Sequence, residues 1–170
     1  MRQNFISEIC LDLRTVVLPG RLGELHPYLD ELPELPLTID HAGLLERGEN
    51  SRAHPFRGID ALVELARYPK VAVKWGHVSE WSAKPFPYED TLNQLRRVVG
   101  AYGASRVMWE SDWTQTLGHQ TLAEMLFSIK LSDHFNAEEK RICSVVQRLR
   151  SCAGIDLRAQ GCRDPQGSSC

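Results

Sequence analysis

The chain has no C-x-x-C pair, no glycine-rich phosphate motif, no block of lysine and arginine, and no apolar run of membrane-spanning length. Each gap removes a class of function. Without G-x-G-x-x-G or a P-loop after any β-rich run, a small doubly wound nucleotide-binding domain loses its main support. Lys plus Arg number 20 against 22 Asp plus Glu, for a net charge of −2, so neither nucleic acid nor an anionic membrane is indicated as a partner. Residues 1–18 interleave Arg2, Glu8, Asp12 and Arg14 with apolar side chains, which leaves no uninterrupted core for a signal peptide. A cytoplasmic location is the resulting expectation. Cys10 stands alone, while Cys143, Cys152, Cys162 and Cys170 crowd the carboxyl end at spacings that match neither a disulfide framework nor a structural zinc pattern. Free thiols are expected.

What is present fits one globular domain, because 170 residues with 42% hydrophobic and 25% charged side chains can bury a sizeable core. Four β-rich runs, 14–18, 36–41, 70–75 and 106–110, are each followed by helical periodicity. After the first, Leu22, Leu25, Leu29 and Leu32 recur at three- and four-residue steps, with Pro27 disturbing the middle of the helix. After the second, Ile59, Leu62, Val63 and Ala66 form one face between Pro55 as a start and Pro69 as a stop. After the third, Leu92, Leu95, Val98 and Val99 make a stripe that Gly103 is placed to end. After the fourth, 117–130 and 137–146 read as helices, the second opened by Asn136 with Glu139 three residues on. The alternation predicts an α/β domain over 1–150, its parallel strands joined by right-handed crossovers and covered by helices. From 151 the apolar period stops, and 151–170 reads as an irregular tail.

Parallel α/β folds gather functional groups at the carboxyl ends of their strands. The second run ends on Asp40 and His41, the third carries Lys74 and ends near His77, and the fourth ends on Glu110, Ser111 and Asp112. Alternation along a strand puts His41 on one face and Asp40 on the other, and groups Asp112 with Glu110 and Met108. An imidazole and a carboxylate that converge can hold a divalent metal or move a proton to and from bound water. Simpler roles exist for each residue alone: Asp112 as a helix N-cap, His41 as a hydrogen-bonded structural histidine, Lys74 as a solvated edge residue. His26 and His134 read as surface residues without partners.

The order D-H-A-G, E-L-A-R-Y-P-K-V-A-V-K-W, P-Y-E-D and A-Y-G-A-S-R-V-M-W-E-S-D-W-T resembles the amidohydrolase-related family of the amidohydrolase 2 type, over about 22–140. That family includes aminocarboxymuconate-semialdehyde decarboxylase and lactone hydrolases. The resemblance implies the C-terminal half of a (β/α)8 TIM-type barrel, about four parallel β/α units. It implies a metal-dependent hydrolase or decarboxylase acting on a small carboxylated or lactone substrate, with zinc or manganese as cofactor. By the same resemblance His41 assists proton transfer, Asp112 binds the metal or acts as base, and Lys74 and His77 contact substrate. The family's H-x-H pair has no counterpart in this sequence, and Glu110 stands where the family has glycine before S-D-W. An incomplete metal site and a truncated chain are therefore expected, with self-association through exposed half-barrel edges. The other reading is a non-catalytic half-barrel remnant or an oligomerising α/β module.

Overall fold

The computed structural model describes residues 13–15, 17, 20–44, 54–76, 82–112 and 120–142. Strands β1 (Leu13–Thr15), β2 (Leu37–Ile39), β3 (Val71–Trp75) and β4 (Val107–Trp109) lie side by side in chain order. Every neighbouring pair is parallel, as the alternating pattern predicts. Thr38 stands opposite Ala72, and Lys74 opposite Met108. β3 ends where its β-rich run does, whereas β2 and β4 stop earlier. β2 gives way after Ile39 to a tight turn, Asp40–Gly43. β4 stops at Trp109, although the Glu110 N–H still donates to the Trp75 carbonyl at 3.1 Å.

A 3-10 turn, Leu22–Leu25, leads into helix α1 (His26–Glu31). Pro27 lies in its first turn, where its missing N–H would have had no helical partner, so it starts a helix where a mid-helix break was expected. Helix α2 (Ile59–Glu64) begins after Gly58, whose φ of 99° suits glycine, and so starts later than Pro55. Helix α3 (Glu89–Tyr102) buries the expected Leu92, Leu95, Val98 and Val99 and ends at Gly103, φ 74°. Helix α4 (Leu122–Lys130) opens on a capping box in which Glu124 N–H donates to Thr121 Oγ1 and Thr121 N–H to Glu124. In front of α5 (Ala137–Ile142), Asn136 and Glu139 make the same exchange, as the sequence predicts. Positions 117–119, 143–146 and the tail 151–170 lie outside the described residues, as do all five cysteines.

One face of the sheet makes the core. Val71, Val73 and Trp75 of β3 are buried in one cluster with Ile39, Leu62, Leu65, Leu95, Val98 and Val107. Ala72 and Lys74, on the opposite face, are less completely buried. Arg106 ties the far end of this layer together. Its guanidinium donates to the carbonyls of Tyr102 (2.8 Å), Tyr68 (2.8 Å), Val71 (3.2 Å) and Ala66 (3.1 Å). The Tyr102 hydroxyl adds a bond to the Leu62 carbonyl at 2.7 Å, and burial pushes its pKa up. Among the described residues no helix is long and apolar enough to cross a membrane.

Candidate functional site at the carboxyl ends of the strands

Around the carboxyl ends of β2, β3 and β4, five titratable side chains meet. Lys74 Nζ lies 2.9 Å from Asp40 Oδ1 and forms a second ion pair with Glu110. His41 Nδ1 lies 3.2 Å from Glu110 Oε1 and 3.7 Å from Asp112 Oδ2. The five are only 13–20% exposed, so water screens these charges weakly.

The sheet register explains most of the cluster. Thr38 pairs with Ala72 and Lys74 with Met108, so the positions two residues on, Asp40 and Glu110, project from the same face as Lys74. Strand parity thus puts Asp40, not His41, beside Lys74, and the expected separation of Asp40 from His41 does not hold. His41 reaches the cluster because the chain has already left the strand. Its φ is 53°, and Ala42 and Gly43 follow at 54° and 63°, a run of left-handed backbone that turns the imidazole back over the sheet edge. Such conformations cost non-glycine residues about 1–3 kcal/mol each and persist where their surroundings hold them. Glu110 does part of the holding, since its Oε1 also accepts from the His41 backbone N–H at 3.4 Å. Asp112 is left-handed too, at φ 40°.

Glycine makes room for the acid. A Cβ on Gly76 would sit 2.0 Å from Glu110 Cγ and 2.7 Å from the Glu110 carbonyl oxygen. Glu110 therefore packs directly against the glycine at the β3 exit.

The charges reinforce one another. Burial works against the ionised form of Glu110, but the bonds from His41 and Lys74 outweigh it and hold the carboxyl down at about 2. The bond to Glu110 raises the His41 pKa despite burial, with smaller help from Asp112 and Asp40. Burial disfavours the Lys74 ammonium, yet Glu110 and Asp40 more than compensate and raise its pKa. The acids thus favour the charged forms of both Lys74 and His41, which lie among them.

Of the residues singled out from sequence, His41, Lys74 and Asp112 come together, while His77 lies outside the described residues. Asp40 and Glu110 complete the cluster. Glu110 was visible in the sequence as an acid in the place of a glycine, and the two-residue step from Met108 was the signal that could have assigned it. His26 and His134 are not isolated: His26 Nδ1 lies 3.1 Å from Tyr68 Oη, and His134 Nε2 lies 2.6 Å from Glu89 Oε1. As a metal site the donor set does not fit. Glu110 and Asp40 already share Lys74, and among the described residues no three His, Cys, Asp or Glu side chains are arranged to hold an ion.

The amidohydrolase family model (Amidohydro_2) matches residues 14–140, which hold all four strands but part of β1 and every member of the cluster. The chain belongs to the amidohydrolase family. It is 32% identical over 111 residues to an L-fucono-1,5-lactonase of Burkholderia ambifaria, a match that covers 61% of this chain and 36% of that protein. Among solved structures, an amidohydrolase from Burkholderia multivorans with bound zinc superposes at a TM-score of 0.64 and 21% identity, covering 84% of this chain and 52% of that one. Amidohydrolase 2 from Bifidobacterium longum subsp. infantis gives 0.56 and 20%, covering 84% and 49%. The chain spans about half the length of these solved relatives, and about a third of the lactonase. The structural likenesses carry the fold; the amidohydrolase family model carries the family.

Proposed function

We propose that this chain supplies the acid–base cluster of a lactone-hydrolysing amidohydrolase. The observation that carries the reading is the convergence of His41, Lys74, Glu110 and Asp112 at the carboxyl ends of adjacent parallel strands. The lactonase among its relatives favours a lactone over decarboxylation of a carboxylated substrate. Of the two roles that the family resemblance allows Asp112, metal ligand and base, the donor set supports the base.

In this reading Asp112 takes a proton from a water molecule as the water oxygen adds to the lactone carbonyl carbon. The ring C–O bond then breaks, and the departing alkoxide oxygen takes the proton of the His41 imidazolium. The proton on Asp112 returns to His41, 3.7 Å away, and the product is a hydroxy acid. Lys74 has three N–H donors and two carboxylate neighbours, so one donor serves the carbonyl oxygen as negative charge builds there. His77, just past β3, is assigned a substrate contact.

The four β/α units are read as half of a (β/α)8 barrel, to be completed by further chain or by a second copy through the exposed sheet edges. The test is hydrolysis of sugar-derived lactones followed by pH-stat. The chain should exceed the spontaneous rate, and Asp112→Asn should lose at least about a hundredfold, the scale of a lost general base. Equal rates for the two proteins overturn the reading.

A further inference from the structure

Asp40 and Glu110 directly follow β2 and β4, two strands that are not neighbours in the sheet, and their carboxylates nevertheless meet at one point. Two like charges brought together in a site this little exposed repel strongly unless a cation lies between them. The cation is part of the chain. Lys74 stands on β3, the strand between them, with Nζ 2.9 Å from Asp40 Oδ1 and paired with Glu110 Oε2. The remaining Glu110 oxygen is taken by His41, through Nδ1 at 3.2 Å and the backbone N–H at 3.4 Å.

We propose that the Lys74 ammonium holds the place of a bound cation in this cluster, joining Asp40 to Glu110 by itself and closing the point between them to a divalent metal. The geometry carries this in three ways. Both carboxylates already have the ammonium between them as a partner. The ammonium is tethered to the middle strand, so it is present at high local concentration and cannot diffuse away. A zinc ion would need oxygen ligands at about 2.0–2.2 Å, inside the space the ammonium fills. Asp112 lies outside this bridge, with its Oδ2 3.7 Å from His41 Nδ1. The inference stands on this arrangement and is independent of lactone hydrolysis, since its readout is metal binding and not turnover.

The experiment is zinc and, separately, manganese binding to the purified full chain, by equilibrium dialysis with elemental analysis and by calorimetry. It compares wild type with Lys74→Met, Lys74→Arg and Glu110→Gln. Wild type and Lys74→Arg should hold no stoichiometric metal that depends on Glu110. Lys74→Met empties the centre and leaves Asp40, Glu110 and His41 as donors. It should bind zinc roughly ten- to a hundredfold more tightly, the scale on which groups around a metal alter its affinity. Two results overturn the proposal: one tight equivalent on wild type that Glu110→Gln removes, or zinc binding by folded Lys74→Met no tighter than wild type. Circular dichroism reports whether Lys74→Met is folded. If it is not, the wild-type comparison with Glu110→Gln decides alone, metal lost with Glu110 refuting the proposal and no such metal sustaining it.

Discussion

Glu110 Oε1 lies 3.2 Å from His41 Nδ1 and 3.4 Å from the His41 backbone nitrogen, so one carboxylate oxygen grips both the ring and the turn that carries it. The other oxygen of the same group pairs with Lys74. A single side chain at the exit of β4 thereby contacts His41 in the turn after β2 and Lys74 on β3, and substitutions that touch it should report on the whole cluster.

The first consequence is a pH dependence. Glu110 has its pKa lowered from 4.5 to about 2, so its stabilisation is present above 4.5 and is lost as pH falls from there through 2. His41 has its pKa raised above 6.5, so its share is full below 6.5 and is lost as pH climbs through the raised value. Glu110→Gln should destabilise the fold by about 2–4 kcal/mol, the scale of a broken buried ion pair. Thermal melts across pH should show the gap between the two proteins widest between 4.5 and 6.5. A gap that does not change with pH contradicts the assignment.

Gly76 should be intolerant of a methyl group. The added Cβ of Gly76→Ala would meet Glu110 at both Cγ and its carbonyl oxygen, and backbone cannot step aside as a side-chain end can. The variant should lose about 2 kcal/mol or more by chemical denaturation. In the His41 imidazole NMR signals it should also show loss of the Glu110 contact. An unchanged His41 spectrum would speak against the close approach.

At Gly43 the cost has a different origin. Its φ is 63°, and a Cβ would lie 2.8 Å from Leu22 Cδ2, a side chain with no exposed surface. Left-handed strain and overpacking combine, so Gly43→Ala should cost about 2–4 kcal/mol. Leu22→Ala in the same background should recover part of the overpacking, which a double-mutant cycle would measure.

Arg106 is expected to matter more than its place at the end of the short 3-10 turn Ala104–Arg106 suggests. Its guanidinium serves four carbonyls, three within 66–71 (Ala66, Tyr68 and Val71) and one at the end of α3 (Tyr102). Arg106→Lys keeps the charge but cannot span the four, and should lose about 2–3 kcal/mol in denaturant titrations. A lysine variant as stable as wild type would show that the fork is dispensable.

Much of the fold was readable because it depends on local pattern. The leucine and valine stripe of α3, Gly103 behind it and the Asn136–Glu139 cap lie where periodicity and capping chemistry put them. Pro27 and Pro55 misplaced the helix starts. A proline is compatible with more than one early position in a turn, and Gly58 with its left-handed φ settled the second case. The Thr121–Glu124 box went unread although both residues stand in the sequence at capping-box spacing.

By itself the sequence determined the β/α alternation, the parallel sheet and the presence of acids and bases at the strand ends, because each follows from spacing along one segment. Which of those groups touch was decided only by the tertiary structure. The register of β2 and β4 against β3 placed Asp40 and Glu110 around Lys74, and three successive left-handed residues turned His41 onto the same acid. Strand parity predicts the opposite for the Asp40–His41 pair, since parity holds only while the chain remains a strand, and β2 ends at Ile39.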